Sequence, residues 1–262
     1  MITHFSDLEL TTVSLEGVKQ CYANRLQLPI IYESNDFIRF QLTPLTTLSF
    51  KEAYEPVPPA HFAFQVPYSK FDEVAAFVRQ SGLLILKQEL GQYIDETNGR
   101  KNLYFRDGDG HLLEIIAHDY IKEDVINTSG KLRILYIREI GFPVENVPAF
   151  LDWLKSDLDM KTDKESNMFN FVIGGTAHAI VVSKQRPWIP IGMKALPPKM
   201  RVTFGTPDLG FIKNLSRNID NSLLNEKKLL ITKEGYTLCI EHTPDFTSSL
   251  AERLNLPKSS LG

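Results

Sequence analysis

The sequence predicts an α+β fold made of four βαβββ modules. Three observations carry this reading. An opening strand followed by an amphipathic helix and then by short strands recurs four times along the 262 residues. A polar, aperiodic stretch, Ile121–Lys131, divides the chain into two halves of similar length. The stretch "LYFRDGDGHLLEII" (Leu103–Ile116) reads as a strand, a tight Asp-Gly-Asp-Gly turn and a strand carrying one acid among aliphatics.

Taken in order, "DLELTTV" is a strand, and "SLEGVKQCYANRLQL" places Leu15, Val18, Cys21, Tyr22 and Leu26 at helical spacing. "PIIYES", "DFIRFQL" and "TTLSFKEA" alternate as strands, and Pro56–Pro59 break the chain before the strand "HFAFQV". "SKFDEVAAFVRQSGL" is a second amphipathic helix, capped by Ser69 and ended by Gly82. Strands follow around Leu84–Leu90, Gln92–Thr97, Lys101–Arg106 and His111–His118. Beyond the linker, "LYIREIGFPVENVPAFLDWLKSDLDM" is a strand and a helix, and "MFNFVIG", "TAHAIVVS" and a loop around Pro187–Pro198 come next. "KMRVTFGTPDLGFIKNLSRNI" repeats strand and helix, "KLLITKEGYTLCIEHT" is a closing hairpin, and Ser248–Leu254 is a terminal helix. The expected division is one domain over residues 1–120, a linker over 121–131, a second domain over 132–246 and a tail over 247–262.

Bulk properties narrow the class. Apolar content of 43% and charge of 23% suit a globular protein, and a net charge of −3 leaves no footprint for nucleic acid or an anionic membrane. No apolar run reaches the ~20 residues of a membrane span. "MITHFSDLEL" has neither a basic region nor an apolar signal core, and Cys21 and Cys239 stand alone within periodic segments. A cytoplasmic monomer or homodimer with a small-molecule partner is the expectation. No nucleophilic triad, phosphate loop or dinucleotide fingerprint is present.

Strand parity points to a site. Leu112, Glu114 and Ile116 share one face, so Glu114 points where an unpaired carboxylate would cost several kcal/mol. Something positive should meet it. His61 opens another such strand, with Ala63 and Gln65 on its own face, and a His at one strand start with a Glu on a later strand makes half of a metal site. His111 falls in the turn and is expected to face solvent, while His118 shares the parity of Glu114.

These residues carry a resemblance. "HFAFQV", a helix ending "SGL" and then "YF.D.DG..LE" resemble the vicinal oxygen chelate superfamily, which holds glyoxalases, bleomycin-resistance proteins, fosfomycin-modifying enzymes and extradiol dioxygenases. The resemblance implies two glyoxalase-like cupped-sheet domains, each of two βαβββ modules, with ligands on the opening strands and on a last strand. The implied metal set is Asp7, His61 and Glu114 at nearly equal intervals, Asp7 standing where a His is usual. Such donors suit Mn²⁺, Fe²⁺, Zn²⁺, Mg²⁺ or Ni²⁺. In the second half the equivalent positions are Glu139, Arg201 and Cys239. Because Arg cannot ligate a metal, that half is expected to be a degenerate copy in which Glu139 and Arg201 form an ion pair.

Several chemistries are compatible with the resemblance. A glyoxalase-type lyase or isomerase would use Glu9 or Asp7 as its base. Ring cleavage is suggested by Tyr104, at the position of the extradiol enzymes' tyrosine. Against it stand Gly108 in place of proline and the lack of a His over Asp95–Asn98. Thiol transfer of the fosfomycin type would need a cationic pocket, from Arg39 or Arg106. The alternative is a non-catalytic binder, like bleomycin-resistance proteins, with Phe40, Phe50, Tyr54, Phe64 and Tyr104 as aromatic walls.

Overall fold

The computed structural model describes residues 1–56, 58–88, 90–128, 130–162, 165–218 and 222–257. The first module is β1 (His4–Thr12), helix α1 (Leu15–Val18) continuing as a π-helix over Lys19–Arg25, β2 (Ile30–Glu33), β3 (Phe37–Thr43) and β4 (Thr46–Glu52). The second is β5 (His61–Gln65), α2 (Phe71–Gln80), β6 (Asp95–Thr97), β7 (Arg100–Arg106) and β8 (Leu112–His118). The third has β9 (Tyr136–Val144), α3 (Val147–Ser156), β10 (Phe169–Gly174) and β11 (Ala177–Ser183). A small hairpin of β12 (Pro187–Trp188) and β13 (Met193–Lys194) follows it. The fourth is β14 (Met200–Thr206), α4 (Leu209–Asn218), β15 (Ser222–Asn225), β16 (Lys228–Lys233) and β17 (Tyr236–His242), and α5 (Ser248–Arg253) closes the chain.

Local chemistry explains the elements. Ser14 caps α1 by accepting from the Gly17 amide at 3.1 Å, and Asn146 caps α3 by accepting from Ala149 at 3.1 Å. Helix α2 differs from expectation. A short 3₁₀ turn over Tyr68–Lys70 precedes it, and Ser69 binds Glu123 instead of capping the helix. Over Leu84–Leu90 the described residues form no strand, and only Ile85 makes a bridge, to Phe105. The last five residues of the predicted tail, and residue 129 of the linker, lie outside the described residues.

Two curved sheets and the small hairpin hold the strands. The eight-stranded sheet runs β15-β16-β17-β14-β1-β4-β3-β2 and the seven-stranded sheet β10-β11-β9-β5-β8-β7-β6. Within every module the opening strand pairs parallel with the last strand: β1 with β4, β5 with β8, β9 with β11, β14 with β17. Between modules the opening strands pair antiparallel, β1 with β14 and β5 with β9. The four-module α+β fold of cupped sheets is therefore present, but the modules combine first with fourth and second with third. The halves 1–120 and 132–246 do not each close a sheet of their own. One apolar cluster, including Leu8, Leu10, Phe50, Phe62, Phe64, Leu113, Phe142 and Leu238, joins both sheets and the helices. No helix among the described residues is long and apolar enough to cross a membrane.

The Asp-Gly-Asp-Gly turn sets where β5 and β8 begin. Asp107 accepts from the Tyr22 hydroxyl at 2.6 Å and from the His111 amide at 2.8 Å, and Gly110 supplies the positive φ the turn requires. His111, expected to face solvent, is fully buried, and its Nδ1 accepts from the Ala60 amide at 2.9 Å. Leu112 N–H donates to the Ala60 carbonyl at 2.8 Å. The residue before His61 is thus clamped from both sides.

Candidate metal centre

Three adjacent strands of the seven-stranded sheet, β8, β5 and β9, bring Glu114, His61 and Glu139 together. The side chains are buried, and one ligand atom from each lies within 4.8 Å of the others. His61 Nδ1 lies 3.1 Å from the Leu112 carbonyl, which can only accept, so Nδ1 carries the hydrogen. That bond turns Nε2 toward the two carboxylates. Its distance is 3.8 Å to Glu114 Oε2 and 3.8 Å to Glu139 Oε2. Each carboxylate has a second anchor on its other oxygen. Asn102 donates to Glu114 Oε1 at 2.8 Å, and Arg138 Nε lies 3.9 Å from Glu139 Oε1.

The electrostatics favour a cation between these groups. Burial, followed by the charge of Glu139, pushes the Glu114 carboxyl up to about 7. Burial alone would lower His61, but the facing carboxylates of Glu139 and Glu114 reverse this and raise it. Once Glu114 and His61 have given up their protons, the two buried carboxylates present negative charge that a divalent ion would neutralise. The donor set fits such an ion. Ligands ~2.0–2.2 Å from a tetrahedral metal stand ~3.3–3.6 Å apart, slightly closer than the 3.8 Å separations. Three protein ligands leave coordination positions open. Beside them lies a cavity of about 300 Å³, lined in part by Arg100, Asn102, Tyr104, Phe169, Phe171, Arg186 and Trp188.

The hairpin after the third module roofs this cavity. Trp188 places its ring 5.0 Å from that of His61. It descends that far because residue 141 on β9 is glycine, where a Cβ would come within 2.7 Å of the indole. Tyr104 stands on β7 with its hydroxyl accepting from Asn102 at 3.2 Å. Burial and the charge of Glu114 hold its phenol protonated well above the usual range.

The predicted residues divide between the two sheets. His61, Glu114 and Tyr104 share the cup, whereas Asp7 and Glu9 are on β1 of the other sheet. The Asp7 carboxylate accepts from Thr47 at 2.5 Å and Ser49 at 2.9 Å and lies 3.7 Å from Arg39, so it is not part of the His61 cluster. Glu9 pairs with Arg201, directly opposite it across β1 and β14. The expected Glu139–Arg201 pair does not form, because their strands belong to different sheets. The third member of the His61–Glu114 cluster is Glu139. It carries the same signal that exposed Glu114, an acid among aliphatics in "LYIREIGF". The proposed aromatic walls also move: Phe40, Phe50 and Phe64 are core, Tyr54 is exposed, and of that set Tyr104 reaches the cavity. Arg39 serves the other sheet, and Arg106 is exposed.

A buried polar layer extends along the cup from the three ligands. Gln65 Oε1 lies 3.0 Å from His118 Nδ1 and accepts from Arg138 at 3.3 Å, and Arg138 also donates to Tyr120 at 2.9 Å. Burial first, then the charge of Arg138, holds His118 neutral at about 3. His118 therefore supports Arg138, a neighbour of Glu139, and does not itself join the ligand cluster.

No family profile matches the chain, and no curated protein matches it. Solved structures do. A candidate dioxygenase from Bacillus subtilis is similar over 98% of this chain and 91% of its own, at 11% identity and a TM-score of 0.67. Glyoxalase I from Zea mays is similar over 95% of this chain and 96% of its own, at 11% identity and a TM-score of 0.57. At such identities the likeness concerns the fold alone, a cupped-sheet fold of paired βαβββ modules shared across nearly the whole chain.

Proposed function

We propose that His61, Glu114 and Glu139 hold a divalent cation and that the adjoining cavity takes a small oxygenated molecule for lyase, isomerase or ring-cleaving dioxygenase chemistry. One observation carries the reading. Each carboxylate spends one oxygen on a neighbouring side chain and turns the other toward an imidazole nitrogen whose tautomer is set by a backbone carbonyl. One nitrogen and two carboxylate oxygens suit Mn²⁺, Fe²⁺, Zn²⁺, Ni²⁺ or Mg²⁺. Such an ion would polarise substrate oxygens that complete its coordination.

The chain's own groups have definable parts. Tyr104 keeps its proton at Oη and so offers a hydrogen bond to a substrate oxygen. Asn102 orients the Glu114 carboxylate, and Trp188 restricts water above His61. The base role expected of Glu9 passes to no free carboxylate in the cup: Asp95, the remaining acid lining it among the described residues, is held by Arg100 at 2.7 Å. Net charge and the buried, unpaired cysteines accord with a cytoplasmic protein acting on small molecules.

Calorimetric titration of chelator-stripped protein with Zn²⁺ and Mn²⁺ tests the proposal. One equivalent should bind, and His61→Ala should abolish binding. Wild-type protein that takes up no metal would overturn it in favour of a metal-free binder walled by Tyr104, Phe169, Phe171 and Trp188.

A further inference from the structure

Arg186, just before the roofing hairpin, lines the cavity with its guanidinium carbon 4.3 Å from the Phe169 ring centroid. Among the described residues no carboxylate lies within ion-pair reach of it, whereas Arg100, which also lines the cavity, is paired with Asp95. A divalent ion would be balanced by Glu114 and Glu139, and Asp95 balances Arg100. The occupied site then carries excess positive charge, from Arg186 and from Arg138 behind Glu139, and of these two Arg186 lines the cavity.

Among the described residues, the buried polar atoms of the lining that have no partner are mostly donors. Gln88 Nε2, Arg100 Nε and Trp188 Nε1 are buried donors without partners, and all three residues border the cavity. Asn102 Oδ1 is the single unpartnered acceptor among the lining atoms. An excess of unmatched donors and one free guanidinium favour an oxygen-rich anion over a neutral or cationic molecule. The lining also includes the rings of Phe169 and Phe171, which share one face of β10, and the aliphatic side chains of Ile180 and Ile189. A volume of about 300 Å³ is the lower end of small-molecule sites and suits a single ring.

Building on the metal-site reading, we infer that the molecule bound here is a planar monocarboxylate, its carboxylate on Arg186 and its vicinal oxygens at the His61–Glu114–Glu139 end. Guanidinium and carboxylate match as planar forks, and stacking on Phe169 orients the guanidinium before the ligand arrives. This makes Arg186 a specificity-determining residue contributed by a segment outside both large sheets.

The test is calorimetry on zinc-loaded protein with 3,4-dihydroxybenzoate, 3,4-dihydroxybenzamide and catechol. The acid should bind about tenfold more tightly than the isosteric amide, the scale of one charge-assisted hydrogen bond. In Arg186→Gln the preference should fall below about twofold while catechol affinity and zinc stoichiometry hold; Arg186→Lys, which keeps the charge but not the planar fork, should retain part of it. Equal affinity for acid and amide in the wild type overturns the inference, as does a preference that survives in Arg186→Gln, or failure of all three probes to bind. Failure of the metal reading is separately visible as a lack of zinc uptake. In that case benzoate against benzamide on metal-free protein still reads the Arg186 preference, and equal binding there overturns it.

Discussion

The two cups use equivalent strands for opposite ends. In the cup of the eight-stranded sheet the charged groups are paired: Asp7 is held by Thr47, Ser49 and Arg39, and Glu9 by Arg201. In the seven-stranded sheet His61 Nε2 stands 3.8 Å from a carboxylate oxygen of Glu114 and 3.8 Å from one of Glu139, and four residues lining the cavity keep unpartnered polar atoms. None of the residues lining the open pocket around Glu9 and Arg201 has such an atom among the described residues. Buried groups left unmatched cost stability. Their concentration in one cup marks the place built to receive something, while the other cup uses the same scaffold for packing.

Substitutions can break this contrast, and the largest effect belongs to the carboxylates. Glu139→Gln keeps the shape of the side chain but removes its charge, and should weaken metal binding by about 100-fold or more, beyond the effect of losing an outer partner. Asp7→Asn should change it less than about twofold, since Asp7 has its own hydroxyl and guanidinium partners. Equal losses in parallel titrations would show that the two cups are coupled.

Acidity sharpens the contrast next. The folded Glu114 carboxyl lies near 7, above its unfolded value, so its neutral form contributes stability at low pH that is lost as pH rises through about 7. A metal held by the carboxylate would displace that proton, and His61, whose own value is raised, would have to give up its Nε2 proton as well. Affinity should therefore rise at least about tenfold per pH unit below 7. Calorimetry between pH 5.5 and 8.5 would read this. A flat profile would place the metal elsewhere.

Packing effects come third. Gly141→Ala brings a methyl within 2.7 Å of Trp188, and such overpacking should cost about 1–3 kcal/mol in urea unfolding. A blue- or red-shifted Trp188 emission should accompany it if the indole is displaced from its seat over His61. The smallest effect is expected in the closed cup. Arg201→Ala should cost at most ~1 kcal/mol, because the Arg201 side chain is 41% exposed and its pairing with Glu9 is screened by solvent. A larger loss would mean that the filled cup depends on that pair for its integrity.

Much of this molecule was legible in the sequence because the signals are local. Period-3.6 and period-2 patterns located the helices and most strands, strand parity put Glu114 on an inward face, and the Asp-Gly-Asp-Gly turn placed it near the start of a strand beside His61. Leu84–Leu90 misled, since a short apolar run carries no information on whether a partner strand is free to pair with it. The burial of His111 was hidden as well, because its partner, the Ala60 amide, is 51 residues away.

The pairing of modules was decided only by the tertiary structure. Four opening strands of similar length and pattern are interchangeable by sequence, and equal spacing favours no partner. Loop-closure cost grows so slowly with length that joining β1 to β14 instead of β5 costs only about 1 kcal/mol more, an amount that cross-strand contacts outweigh. Glu9 finds Arg201 directly opposite on β14, and on β9 Glu139 comes opposite Ala63, within reach of His61. That choice puts Glu139, and not Asp7, beside His61 and Glu114 in the proposed metal site. Residue types along each strand determined which groups point inward; which inward groups meet was settled by the contacts between strands far apart in the chain.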